Sequence, residues 1–379
     1  MRQTFHSKIV LTLVFVLTIL VSGCQTSHPP KAESTQLFSA YAISQSGVLK
    51  ANGYGYLHFW DNTTQKTVPL CNQQGCLHQT SSCSAYYPNL IRAFYYNDAL
   101  YFFQYNNADT YSLSVANLFG EERTHLIDMN VFCIPDSLHI CDNTLYFMGT
   151  RYDKTKDMNV TEACLVNLSS GTFQSIENKS LENTYTYLTD FLATEDYYFE
   201  LYSGTNVNLP SLFDTESEYL QNVDWDSIPY YYYLYQTNRE TGSASLLLSC
   251  EALSSESFIT ALIEYSQDYV LFQWGNSIYK YFPLTNELTL CYDYAGTGIV
   301  TGVHKMQDFY LLELDGAENR FLLLNNWSDF YAFGEITDVI NGYLGSIGDL
   351  AYFVGNGTLF FVPCSDLRNK TYSVYSIDI

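Results

Sequence analysis

A strand pattern that recurs along the chain most constrains how it can fold. An Asp precedes a short aromatic–aliphatic run at six places: Asp98 before Leu100-Tyr101-Phe102-Phe103, Asp142 before Leu145-Tyr146-Phe147-Met148, and Asp196 before Tyr197-Tyr198-Phe199. The series continues with Asp268 before Tyr269-Val270-Leu271-Phe272, Asp308 before Phe309-Tyr310-Leu311-Leu312, and Asp349 before Leu350-Ala351-Tyr352-Phe353. A second strand usually follows each run, then a polar turn and a third strand. Ala163 to Leu168 runs into Ser169-Ser170-Gly171, Tyr231 to Tyr235 into Asn238 to Gly242, and Ser277 to Phe282 into Thr285-Asn286. Tyr56 to Trp60 leads into Asp61 to Thr64, which places an earlier unit before the six, without the leading Asp.

The spacing gives units of about 40 to 55 residues, the period of a propeller blade with four strands. Only the stretch from Asp196 to Asp268 is longer, and it holds an insertion near residues 203–229. No long stretch with a 3.6-residue period competes, so helical repeats fit poorly. The expectation is an all-β β-propeller over residues 37–379, with seven blades, six or eight being the alternatives. A single blade cannot cover both of its faces, whereas a ring of blades covers each with the next. The last strand, Thr371 to Ile379, is expected to pair near the first unit and close the ring. The unit resembles that of TolB-like and low-density-lipoprotein-receptor-like propellers of exported bacterial lipoproteins.

The N-terminus carries an address. Arg2 and Lys8 precede an apolar run, Ile9 to Val21, and then Val21-Ser22-Gly23-Cys24. A basic start, a short apolar core and small residues before a cut are the pattern of an export signal. The run is short for a membrane span, which needs about 20 apolar residues. The last four residues resemble the lipobox of bacterial lipoproteins. That resemblance implies a signal peptide over residues 1–23, a diacylglyceryl thioether on Cys24 with palmitate-type chains, and a location on the extracytoplasmic face of the cell membrane. Residues 24–36, with Pro29-Pro30, then read as a flexible tether.

Charge narrows the partners. The net charge is −23, and the signal segment has bases but no acids. Such a chain repels phosphate backbones, which excludes nucleic acid as a natural partner. Thirty-five tyrosines suit strands and half-buried surfaces.

The sharpest local motif is Cys71-x4-Cys76-x-His78-x4-Cys83, directly after Pro69-Leu70. It resembles a cysteine-rich insertion in the first blade of many lipoproteins of this type from Gram-positive gut bacteria. Three thiolates and an imidazole can complete a closed, tetrahedral, structural zinc site. Disulfides among the same cysteines are the competing reading, since exported proteins sit where disulfides persist. Free thiols are a third reading, and a catalytic Cys–His pair a fourth. Cys133, Cys141, Cys164, Cys250, Cys291 and Cys364 lie in or beside apolar strands and read as small buried hydrophobes. His139 and Cys141 share a strand face and offer a weaker second metal position.

In the long fourth unit, Asp214, Glu216, Glu218, Asp224 and Asp226 surround Trp225 without the order of a calcium loop. They read as a solvated insertion, and Tyr230 to Tyr233 as an ordinary strand. Neither a nucleophile elbow nor a zinc-protease helix nor a phosphate-cradling loop is present. The sequence therefore points to a non-enzymatic binding or scaffold propeller for a protein, peptide or glycan. The alternatives are an extracellular polysaccharide hydrolase or lyase, and metal sensing or delivery through the Cys/His cluster.

Overall fold

The computed structural model describes residues 35–36 and most of 41–377; the main stretches outside it are 1–34, 37–40, 208–226, 254–259, 333–341 and 370–374. Cys24, and Asp214, Glu216, Glu218, Asp224, Trp225 and Asp226 of the insertion, lie outside the described residues. Residues 34–379 form one compact unit.

The unit is a seven-bladed β-propeller. After β1 (Thr35–Gln36), the first blade is β2 (Tyr41–Ser44), β3 (Gly47–Ala51), β4 (Leu57–Asp61) and β5 (Lys66–Pro69). The second is β6 (Leu90–Tyr96), β7 (Ala99–Asn107), β8 (Thr110–Asn117) and β9 (Thr124–Met129). The third contains β10 (Phe132–Cys133), β11 (His139–Cys141), β12 (Thr144–Asp153), β13 (Met158–Asn167) and β14 (Thr172–Ile176). The fourth is β15 (Tyr185–Ala193), β16 (Tyr197–Thr205), β17 (Pro229–Asn238) and β18 (Ala244–Leu253). The fifth is β19 (Thr260–Tyr265), β20 (Val270–Trp274), β21 (Ser277–Phe282) and β22 (Glu287–Asp293). The sixth is β23 (Ile299–Met306), β24 (Phe309–Asp315), β25 (Phe321–Asn325) and β26 (Asp329–Ala332). The seventh is β27 (Gly342–Ile347), β28 (Leu350–Gly355), β29 (Thr358–Pro363) and β30 (Tyr375–Ile377), with one short helix, α1 (Cys364–Asn369), after β29. The strands of each blade pair antiparallel in chain order, except that β10 pairs with β12. First strands of neighbouring blades touch in the series β15, β19, β23, β27, β2, β6, so they face the centre.

The apolar runs of the sequence are the second strands of the blades, not the first. They are continuous because each is buried on both faces, and alternate side chains serve opposite neighbours. Leu100 and Phe102 of β7 pack toward the first blade, Tyr101 and Phe103 toward the third. Tyr310 and Leu312 of β24 pack toward the fifth blade, Phe309 and Leu311 toward the seventh. The buried core is accordingly distributed over the seven joints between blades.

Turn chemistry explains two of the six recurrent Asp residues, Asp98 and Asp142. Asn97-Asp98 and Asp142-Asn143 have φ of 46° and 57°, and 48° and 55°. Two successive positive values make the tight hairpin turn for which Asn and Asp are suited. A second device sits between third and fourth strands. The side-chain oxygen of Asp61, Asn167 or Asn238 accepts two backbone N–H bonds from the residues just beyond it. The turn closes four residues on, at Gln65, Gly171 or Gly242, each in the left-handed region.

The last strand does not close the ring as expected. β30 pairs with β29 of its own blade, Phe360 opposite Ser376. The first blade is already complete with β2 to β5 and needs no strand from the C-terminus. Closure is by packing: Val48 and Trp60 of the first blade meet Leu344, Tyr352 and Leu359 of the seventh. In the third blade, β1 pairs antiparallel with β11, Gln36 opposite His139, on the edge left free by β12.

Candidate metal centre

The connection from β5 to β6 carries the Cys/His motif. It is tied back to the first blade by backbone bonds, Leu57 N–H to Ala85 O at 2.8 Å and Tyr87 N–H to Gly55 O at 2.7 Å. The Ser84 hydroxyl donates to Leu70 O at 2.8 Å. These ties fold the segment into a closed loop beneath which Leu70, Cys83, Ala85 and Tyr87 join the core between the first and second blades.

The loop brings all four predicted residues together. One ligand atom from each of Cys71, Cys76, His78 and Cys83 lies within 4.8 Å of the others. Among the described residues this is the one such group of three or more potential ligands. The His78 Nδ1 is 3.3 Å from the Cys83 sulfur. Cys83 is buried, and the other three are half-buried. His78 has a φ of 56°, a left-handed backbone that turns its ring toward the sulfurs.

Each sulfur also meets the backbone N–H two residues ahead of it. His78 N–H donates to the Cys76 sulfur at 3.4 Å and Ala85 N–H to the Cys83 sulfur at 3.3 Å. The Gln73 amide does the same for Cys71. Burial alone would raise the Cys71 thiol, but that amide, with Cys83, Ser84 and Cys76, holds it below its ordinary value. Burial pushes the Cys83 thiol up to about 11 against its Ala85 bond, with Cys76 and Cys71 adding to the rise.

Two neighbours of the cluster had no sequence signal. Arg123, on the turn between β8 and β9, reaches across the joint. Its Nη2 donates to Cys83 O at 2.5 Å, its Nη1 to Tyr86 O at 3.2 Å and its Nε to Gly120 O at 3.1 Å. Its guanidinium lies 3.7 Å over the Tyr87 ring, which stacks on Phe102 at 3.8 Å. His58 of β4 shares a cleft of about 290 Å³ with Pro69, Leu77 and His78. Burial, then Lys50 and His78, lower its pKa. Arg123 is 40 residues from Cys83, and only the strand register brings them together.

The weaker second position does not form. His139 Nε2 accepts the Ala193 N–H at 2.9 Å, and its Nδ1 faces Ser137 O at 3.3 Å. Both ring nitrogens are engaged, and burial lowers its pKa to about 4. Cys133, Cys141, Cys164 and Cys364 are buried as expected, whereas Cys250 and Cys291 on fourth strands are half-buried.

Other polar groups fasten blade to blade. Asp190 accepts from Leu262 N–H of the next blade at 2.7 Å, and Glu313 from Tyr343 N–H of the next at 2.8 Å. Gln273 donates to Val300 O of the next at 2.6 Å. In every case the target residue immediately precedes a β-bulge in a first strand. A bulge frees one backbone group from the ladder, and the neighbouring blade supplies its partner. Glu264 receives the hydroxyls of Tyr269 and Tyr310, each at 2.8 Å, and Lys305 at 3.2 Å.

No family model matches the chain, and no curated protein matches it. Solved structures do. A prolyl endopeptidase is 11% identical with a TM-score of 0.53, covering 91% of this chain and 51% of its own. A puromycin-hydrolysing peptidase of Mycobacterium tuberculosis is 10% identical with a TM-score of 0.52, covering 90% and 53%. The chain thus spans about half the length of these two. The β-propeller domain of the Trilobed protease from Pyrococcus furiosus, described as having an open velcro topology, is 10% identical with a TM-score of 0.51, covering 88% and 94%. At such identities the likeness is one of fold, and the fold shared is the propeller.

Proposed function

We propose that this chain is an extracytoplasmic lipoprotein, held to the membrane through Cys24, whose propeller binds a protein, peptide or glycan without chemically altering it. The carrying observation is the employment of its buried and half-buried ionisable groups, of which Glu162 pairs with Arg151 inside the third blade. Asp190, Glu264, Glu313 and His139 each bond to the next blade, and Glu200 to Lys179 of the connection between the third and fourth blades. A general acid or base must instead reach the substrate. Groups committed to joints make a rigid ring, which supports a scaffold that recognises its ligand through loops at one end of the channel. The peptidases named above are about twice as long, so their activity does not carry over to a chain that matches only part of them.

The address rests on the basic start, the apolar run and Val21-Ser22-Gly23-Cys24. Two acyl chains would anchor the protein stably, at about 0.8 kcal/mol per buried CH₂. Radiolabelled palmitate should enter the wild-type chain and be lost from Cys24→Ser; label retained in the variant would refute the anchor. The full chain in detergent micelles, titrated with cell-wall glycans and peptides, should show saturable binding with the ligand recovered intact. Shortened glycan or peptide in that assay would establish an enzyme instead.

A further inference from the structure

We propose that Cys71, Cys76, His78 and Cys83 bind one zinc(II) ion as a closed structural site that clamps the crossover between the first and second blades, with Arg123 balancing its charge. This is independent of the ligand-binding reading above.

The donor set selects the metal. Three soft thiolates and one imidazole suit zinc, whereas hard cations prefer oxygen. Zinc–sulfur bonds of about 2.3 Å give tetrahedral edges of about 3.7 Å. Ligand atoms within 4.8 Å of one another need little movement to reach that shape. Four protein ligands fill the shell and leave no position for substrate, which assigns the site to structure rather than to chemistry.

The backbone distinguishes this reading from a disulfide. All three sulfurs face the amide of the residue two ahead. A thiolate is a strong acceptor for such bonds, and donors around the ligands orient and stabilise metal thiolates. A disulfide would use two of the sulfurs, leaving one amide–sulfur pair and the His78 ring without a role. Here the histidine converges with all three.

Charge identifies the part played by Arg123. Three thiolates, a neutral imidazole and zinc(II) sum to one excess negative charge. The Arg123 guanidinium is bonded to the carbonyls of Cys83 and Tyr86 and lies against Tyr87, next to that charge. It is a positioning residue contributed by the second blade. When the ion binds, the loop of the first blade and the turn of the second are held to one another through Cys83, Arg123 and the Tyr87–Phe102 stack.

The test uses the full chain purified without reductant or chelator. Elemental analysis should find about one zinc per chain. Replacement by cobalt(II) should give the ligand-field and thiolate charge-transfer bands of a tetrahedral sulfur-rich site. Cys83→Ser should lose both signals, while Cys291→Ser, outside the cluster, should keep them. Arg123→Gln should weaken zinc binding about 10- to 100-fold with the cobalt bands retained, as expected for a group beside the ligands. Metal-free protein with two of the three cysteines protected from alkylation until reduction would overturn the proposal in favour of a disulfide. Metal-free protein with three reactive thiols would overturn it as well. Neither outcome depends on a variant that folds.

Discussion

The Tyr352 hydroxyl of the seventh blade lies 3.4 Å from the Asn62 Oδ1 of the first, next to the Trp60–Phe361 ring pair at 5.5 Å. This contact spans 290 residues of sequence. It marks the seam of the ring, where side-chain packing replaces the exchanged strand that the sequence had suggested.

The seam should be sensitive to truncation. Trp60 is 5% exposed and packs with Val48, Leu344, Tyr352 and Leu359. Trp60→Ala should cost about 3–5 kcal/mol, the range for emptying a large aromatic site. Tyr352→Phe, which removes only a long hydrogen bond, should cost about 0.5–1.5 kcal/mol at most. Urea unfolding of both variants checks this; equal costs would place the seam's strength in the hydroxyl rather than the rings.

Asp190 should leave a signature in the pH dependence of stability. Burial raises its carboxyl from 3.8 to about 6, against the bonds from Leu262 and Phe191 N–H. The folded state therefore holds its proton more tightly than the unfolded one. The contribution is fully present below about pH 4 and is lost as pH rises through 6. The stability of wild type minus that of Asp190→Asn should fall across this window in urea titrations. A flat difference would show that Asp190 titrates as an ordinary carboxylate.

The half-buried Lys179 pairs with the buried Glu200, to which Thr237 and Tyr202 also donate at 2.5 and 2.9 Å. Lys179→Met leaves the carboxylate without its cation and should cost about 3–5 kcal/mol. The double variant Lys179→Met/Glu200→Gln should recover part of that loss. Calorimetric melting of the set decides it; additive costs would mean that the two charges do not sense each other.

Two turn glycines separate strain from contact. Gly171 and Gly242 have φ of 68° and 69°. A Cβ on Gly242 meets nothing within 4 Å, whereas one on Gly171 would stand 2.6 Å from Leu126 O of the second blade. Gly242→Ala should cost about 1–2 kcal/mol from the left-handed backbone alone. Gly171→Ala should cost more, since backbone must also move. Thermal denaturation of the two variants tests the order.

The blade count was legible because second strands such as Leu100 to Phe103 are covered on both faces and stand out as unbroken apolar runs. Their turns were legible because Asp98 and Asp142 adopt the conformation for which Asp is suited. First strands were not. Their bulges, as between Leu188 and Asp190, break the alternation that marks a strand, so the units were read one strand late. At the site, the cysteine spacing sufficed to group Cys71, Cys76, His78 and Cys83. Arg123 and the Asp190–Leu262 bond were hidden, because each joins elements brought together only by the ring.

Because every blade, β1 on the third apart, is cut from one uninterrupted stretch of chain, synthesis from the N-terminus can finish most sheets before the next begins. Two pairings must wait. Thr35 and Gln36 find their partner strand only when residues 139–140 have appeared. Val48 and Trp60 keep their apolar faces uncovered until residues 344–359 arrive, almost three hundred positions later. For that interval the nascent molecule carries a sticky flank, and chaperones outside the ribosome or the membrane would find their target on the first blade.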